Sequence, residues 1–245
     1  VSKSGGLGDN FYIGGFDVSG DINSLSRIGG GPAALDMTDI TQSAFARLGG
    51  LKDGEISFVS YMNDSNDRAH EVLSALPTAD AQLCYARGTT LGNRAACLIS
   101  KQINYDPTRG TDAMITFQVQ ALANGFGLEW GRQLTAGKRS DSADTEGDGV
   151  DFTAATSFGW QAYLQVISIS GATNATVTLE DSADDVTYAV FTSSAFAAAT
   201  AVGTQRIAGA AGSTVRRYVR AVTTGTFTEV TFSVVFVKNI SAVAF

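Results

Sequence analysis

One histidine stands in a chain of 245 residues, and that scarcity excludes more chemistry than any motif suggests. Most zinc sites and most histidine-based nucleophilic triads need more than the lone His70. Only two cysteines occur, Cys84 and Cys97, each inside a strand-like run. The expectation is a pair of buried reduced thiols, because two cysteines do not make a recognisable disulfide scaffold. Basic charge is also short: 17 Lys and Arg against 24 Asp and Glu leave a net charge of −7. A basic nucleic-acid-binding surface is therefore not expected. No apolar run approaches the ~20 residues that span a bilayer. The opening VSKSGGLGDN lacks the apolar core of a signal peptide, so no membrane partner is expected.

What is present points to strands. Three prolines and 27 glycines, set among Thr, Val, Ala and Ser, describe strands joined by glycine turns. Apolar and polar residues alternate over Leu35 to Ile40, Glu55 to Met62, Cys97 to Tyr105, Ala113 to Leu122 and Phe126 to Leu134. One helix interrupts them. Asn63, Asp64 and Ser65 offer N-caps, Ala69, Val72, Leu73 and Leu76 recur at helical spacing, and Pro77 would stop the helix. His70 then reads as a surface residue of that helix. The fold class is mainly β (α+β): a β-sandwich or barrel with one flanking helix.

Between Leu134 and Val150 lies TAGKRSDSADTEGDG, rich in Gly, Ser, Asp and Thr. Its acids miss the spacing of a calcium loop, so it reads as a solvated linker. Beyond it, Trp160 to Ile169, Ala175 to Glu180, Val186 to Phe191, Thr204 to Ala208, Thr214 to Val222 and Phe227 to Val237 read as short strands. Their regular spacing describes a C-terminal β-sandwich, Ig-like or jelly-roll-like, of about 90 residues. Val230, Phe232, Val234 and Phe236 share one face of its last strand. The expected domains are 1–137, a linker 138–150, and 151–245.

No reaction shows itself. The Gly5–Gly8 and Gly29–Gly31 clusters do not follow a buried strand and open a helix, as a phosphate loop must. No carboxylate pair is singled out for glycoside hydrolysis. The expectation is no enzyme, no cofactor and no metal.

Two stretches, Phe11 to Asp21 (FYIGGFDVSGD) and Ala44 to Gly54 (AFARLGGLKDG), resemble the major tail tube proteins of long-tailed bacteriophages. The blocks Ala86 to Ala96 (ARGTTLGNRAA), Lys101 to Pro107 (KQINYDP) and Leu128 to Gly131 (LEWG) continue that resemblance in order over residues 9–137. Asp181 to Tyr188 and Arg216 to Arg220 look like the outer domain that some of these proteins append. The resemblance implies a structural virion protein whose hexameric rings join their sheets into a β-barrel and stack into a tube. Viral DNA leaves through that tube in passing, without specific binding. Partners implied are further copies of the chain, a tape-measure protein, a tail terminator and distal tail proteins. The location implied is the virion, and the host cytoplasm during assembly. A carbohydrate-binding or adhesion module, with Trp160, Tyr188 and Tyr218 as platforms, is the alternative.

Two sets of residues carry the assembly expectations. TQSAFARLGGLKD reads as a long connection whose Phe45, Leu48 and Leu51 are too apolar for a free loop. They are expected at a subunit interface, unless the loop folds onto its own domain. Strict alternation puts Ser100, Gln102, Asn104 and Asp106 on one side of a strand, and Thr116, Gln118 and Gln120 on one side of another. These polar faces are expected to line the lumen, or else to face outside solvent. Lys101 falls on the apolar side and is the exception. The C-terminal domain is expected to decorate the outside and to be dispensable for the inner wall.

Overall fold

The computed structural model describes residues 6–76 and 79–241. Pro77 and Gly5 therefore lie outside the described residues. The chain is mostly strand, with a single α-helix among the described residues. In order, it forms β1 (Asn10–Ile13), β2 (Phe16–Asp17), β3 (Ile22–Asp36), β4 (Arg47–Tyr61), α1 (Ala69–Ser74), β5 (Ala81–Ala86) and β6 (Arg94–Gln102). Then come β7 (Asp106–Arg109), β8 (Ile115–Ala123), β9 (Glu129–Gln133), β10 (Arg139–Asp141), β11 (Thr145–Glu146) and β12 (Val150–Asp151). The last six are β13 (Trp160–Ser170), β14 (Asn174–Ser182), β15 (Ala189–Ala195), β16 (Gly203–Ala208), β17 (Tyr218–Thr226) and β18 (Glu229–Lys238).

Two compact units share the chain, and the division is not the expected one. One comprises Val1–Gly20, Cys84–Cys97 and Trp130–Phe245; the other comprises Asp21–Leu83 and Leu98–Glu129. The first is a sandwich. One sheet runs β16-β13-β18-β9-β6-β5-β1-β2, with β10 also on β18; the other runs β11-β17-β14-β15, with β12 also on β17. Between them Leu164, Val177, Leu179, Val219, Phe232 and Phe236 form a buried cluster. Trp160 stacks on Phe236 at 5.6 Å and meets the edge of Phe191 at 5.1 Å. All four apolar residues expected on one face of the last strand lie in this core.

The opposite faces of β13 and β18 are buried as well, at Tyr163, Gln165, Ser233 and Val235. The first sheet curls until the β1–β2 turn reaches β13, where Gly15 N–H donates to Gln165 Oε1 at 2.7 Å. A Cβ on Gly15 would sit 2.9 Å from both Val166 O and Gly203 N, and its φ is +95°. Only glycine fits this closure.

The stretch 138–150 is not a free linker. Arg139–Asp141 pairs with Val230–Phe232 of β18, and β11 and β12 pair with β17. Its Gly and Asp content serves the turns between three very short strands. Leu134, expected in the other domain, belongs to the sandwich core, and β9 pairs with β18 through Gln133↔Val235 and Arg132↔Phe236. The expected thiols are also corrected. Cys84 and Cys97, on the adjacent strands β5 and β6, form a disulfide with Cα atoms 4.3 Å apart. Strand adjacency brings them together, and a separation of 13 residues gives no hint of that.

In the second unit β4 pairs with β3 and β8, and the far side of β8 takes β7 and the end of β6. Register puts Ile56, Phe58 and Ser60 of β4 opposite Ala121, Val119 and Phe117 of β8, all buried. Helix α1 covers this face through Ala69 and Leu73, with Gln102 Nε2 donating to Leu73 O at 2.9 Å. At six residues it is shorter than its apolar spacing predicts, and no side chain caps it locally. Instead Asp21 accepts the Ala69 N–H at 3.2 Å and the Asn63 amide at 2.7 Å. His70 is half-buried and not a surface residue: its Nδ1 meets Tyr105 OH at 2.9 Å, and Tyr105 stacks on Phe117 at 4.0 Å.

Two outcomes follow. Thiol titration in denaturant without reductant should find no free cysteine, and two after reduction; two free thiols in the oxidised protein would refute the pairing. A chain ending at Ala136 strips β18 from β9 and exposes Leu134. It should fail to give a cooperative unfolding transition, whereas a sharp native-like melt would restore the expected boundary.

Candidate assembly surfaces

Strand β4 is 15 residues long, but β8 pairs only with its Glu55–Tyr61 portion. From Gly54 outward it pairs with β3 alone, through Gly30↔Gly54, Pro32↔Lys52, Leu35↔Leu48 and Asp36↔Arg47. The result is a two-stranded arm with nearly every side chain exposed. Its root is pinned by close backbone approach. A Cβ on Gly30 would lie 2.8 Å from Leu128 Cβ, and one on Gly54 would lie 2.6 Å from Leu128 N.

The tip is ordered by two successive Asp-x-Thr turns. Asp36 Oδ1 accepts from Thr38 N at 2.9 Å, and Asp39 Oδ1 accepts from Thr41 N at 2.8 Å. Both threonine hydroxyls donate to the same oxygens, which holds both carboxyls below their usual range. Thr38 Oγ1 in turn accepts the Ala46 N–H at 3.0 Å, and Met37 N–H donates to Ala46 O at 2.9 Å. This framework presents Met37, Ile40 and Phe45 to solvent, at 61%, 104% and 69% exposure. The Arg47 guanidinium lies over the Phe45 ring at 4.9 Å.

The three residues expected at an interface are therefore brought onto one arm. Phe45 is at the tip, and Leu48 and Leu51 lie on β4, not in a loop. Leu51 sits where the register shifts between Pro32 and Ala34 and is 88% exposed. Sequence reasoning missed Met37 and Ile40 as exposed residues, because Leu35 to Ile40 alternates like a half-buried strand. The DMTDIT repeat was the available signal of turns.

The expected lumen residues separate onto two faces. Directly opposed residues share a face of an antiparallel pair. Gln120, Gln118 and Thr116 oppose Ser57, Val59 and Tyr61, on the face away from α1. Ser100 and Gln102 oppose Ala123 and Ala121, on the covered face. Ser100 is fully buried and donates to Ala81 O at 3.3 Å, so it lines no open surface. Alternation misled because β6 is buried on both faces from Ala95 to Leu98, and its odd positions register with even positions of β8. The same register removes the Lys101 exception: Lys101 opposes Leu122 on the open face and pairs with Asp80 at 2.9 Å. Asn104 lies in the break before β7, its Oδ1 accepting Gln120 N–H at 2.7 Å and its Nδ2 donating to Asp106 at 2.7 Å.

On this open face Glu55 is the hub. It accepts from Ser57 Oγ and, at 2.8 Å, from Gln120 Nε2, and it pairs with Arg27 at 3.2 Å. The surrounding groups are neutral amides and hydroxyls, and the charges come in pairs.

The other expected features are absorbed elsewhere. Trp160 is fully buried, so it is no platform. Arg220 covers one face of Tyr188 at 4.2 Å, and Arg217 lies over Tyr218 at 4.9 Å. In the acidic stretch, Asp141 is held by Arg139 at 2.9 Å, Asp144 accepts Gly225 N–H at 2.9 Å, and Glu146 meets Arg220 at 2.8 Å. Among the described residues no three His, Cys, Asp or Glu side chains gather as metal ligands.

The hydrogen bonds from Ser57 and Gln120, then the Arg27 charge, hold the Glu55 carboxyl below its ordinary 4.5. Its contribution to stability is thus present above the ordinary value and lost as pH falls through the lowered one. A carbon-detected titration should place Glu55 below 4.5 and Gln120→Ala should move it up. An unmoved midpoint would show that the amide does not act on it.

No family model matches the sequence, and no curated protein does. Solved structures with a similar course of chain include one from the virion of a native gene transfer agent particle, at 12% identity and TM-score 0.38, covering 52% of this chain and 98% of that one. The SPP1 Dit (gp 19.1) protein, a hub of the adsorption apparatus in phages infecting Gram-positive hosts, is similar at 10% identity and TM-score 0.35, covering 94% and 99%. A chain of the phage p2 baseplate in its activated conformation with Sr is similar at 9% identity and TM-score 0.36, covering 94% and 98%.

Proposed function

We propose that this chain is a structural, non-enzymatic subunit of a bacteriophage tail tube, located in the virion and built up in the host cytoplasm. Copies assemble into stacked rings, hexameric as the sequence resemblance implies, around a conduit for DNA. Tape-measure, terminator and distal tail proteins are the implied partners. The observation that carries the reading is the arm. A lone two-stranded hairpin is marginal in water, yet this one carries Leu35, Met37, Ile40, Phe45, Leu48 and Leu51 exposed. Burying six such side chains against a neighbour contributes on the order of 10 kcal/mol.

The open face supports the conduit. Duplex DNA carries one negative charge per ~1.7 Å of axis, and a wall rich in Lys and Arg would hold it. Thr116, Gln118 and Gln120, with the paired Glu55 and Arg27, offer a wall with little net charge. In this reading the unpaired outer edge of β3 and the short β7 are the lateral seams through which ring closure pairs the sheets.

Negative-stain images of the purified protein should show rings or tubes. The double variant Phe45→Ser and Leu48→Ser should keep the native circular dichroism spectrum and lose polymerisation. Normal tube yield from that variant would defeat the reading, as would a wild-type protein that stays monomeric at high concentration.

A further inference from the structure

We propose that the arm tip is received by the opposite end of the same sheet in a second copy, at Met62 and Met114, so that copies stack head to tail along β4. This deepens the assembly reading above and rests on it. Strand β4 starts at Arg47 beside the tip and ends at Tyr61. At ~3.3 Å per residue its ends are about 46 Å apart. At the far end Met62 N–H donates to Ile115 O at 3.0 Å, which sets Met62 beside the turn that carries Met114. Both methionines are exposed, at 42% and 48%. Nothing within the unit requires apolar side chains at the end of a sheet.

The two ends differ in the way a plug and its seat differ. The tip is stiff, because two Asp-x-Thr turns fix the backbone between Asp36 and Thr41. The seat is soft, since methionine side chains adapt to the shape they cover. Charge also matches across the contact. Asp36 and Asp39 flank Met37 and Ile40 as anions, and Arg47 lies over Phe45. At the seat Arg109, opposite Ile115 in the register, is exposed and makes no ion pair among the described residues. Asp112, whose Oδ1 accepts Met114 N–H at 3.1 Å, supplies the opposite sign for Arg47. Tip and seat are different surfaces at opposite ends of one unit, so their contact is heterologous. A heterologous contact repeated along the strand axis does not close; it propagates.

The test uses two full-length variants: a tip variant, Ile40→Ser with Phe45→Ser, and a seat variant, Met62→Ser with Met114→Ser. Native circular dichroism and melting are checked first, and Met114→Ala alone serves if the double seat variant is unstable. Sedimentation velocity should show that each variant alone stops at one oligomer size, whereas wild type grows. Mixing the two preassembled variants should give a species of twice that mass and no longer one, because a single intact tip–seat pair forms. Met114→Ala alone should raise the protein concentration needed for growth roughly tenfold. A seat variant that grows like wild type, while the tip variant does not, overturns the seat and leaves the assembly reading standing. A mixture that fails to double overturns the head-to-tail polarity. A wild-type protein that never grows overturns both.

Discussion

The sandwich depends on the hydrogen bonding of its last strand. β18 gives one edge to β13 along ten residue pairs and the other to β9 and β10. Both of its faces are buried, Phe232 and Phe236 on one and Ser233 and Val235 on the other. A strand so enclosed must satisfy every backbone group within the fold. That forces residues 130–141 to lie beside residues 230–236 and brings the chain into the sandwich in three separate passages. The second unit is what the chain makes between those passages.

Seen this way, the polar residues inside the sandwich have a structural purpose. Gln133 Nε2 donates to Arg87 O at 3.0 Å, and its Oε1 accepts the Gly137 N–H at 3.0 Å. Thr135 Oγ1 accepts Val234 N–H at 3.1 Å where β9 gives way to β10. Buried amides and hydroxyls are costly unless paired, and paired they fix one register among several of similar apolar content. They hold together segments that are far apart in sequence.

The C-terminal half was legible because its strands are local events. Alternation at Val230, Phe232, Val234 and Phe236 identifies a half-buried strand, and the structure buries all four. What was not legible depends on pairing over distance. Ser100 and Gln102 look like Gln118 and Gln120 in sequence, yet one odd-to-even register sends them to opposite faces. The glycine cluster Gly29–Gly31 reads as a loop, although it lies inside β3, where Gly30 lets Leu128 approach. The stretch 138–150 has the composition of a linker because its strands are too short to show a period. The arm was half legible: its apolar residues stand out against a turn-rich background, but the exposure of Met37 and Ile40 follows from side-chain turns that alternation cannot report.

The treatment of strand edges separates the two units. In the sandwich, one end of the curled sheet is met at Gly15, and the second sheet ends in β15, whose register on β14 is broken between Thr178 and Glu180. A register break, short β11 and β12, and a curled sheet are the means by which folded chains blunt their edges. The arm unit keeps a 15-residue edge at β3, with only register shifts and Pro32 to interrupt it. A chain that blunts edges in one unit and leaves the longest one open in the other has no general need for open edges. The open edge, the unsupported arm and the apolar tip all belong to β3, β4 and the turn between them. A partner that pairs the edge and covers the tip would therefore complete this unit with no change to the sandwich.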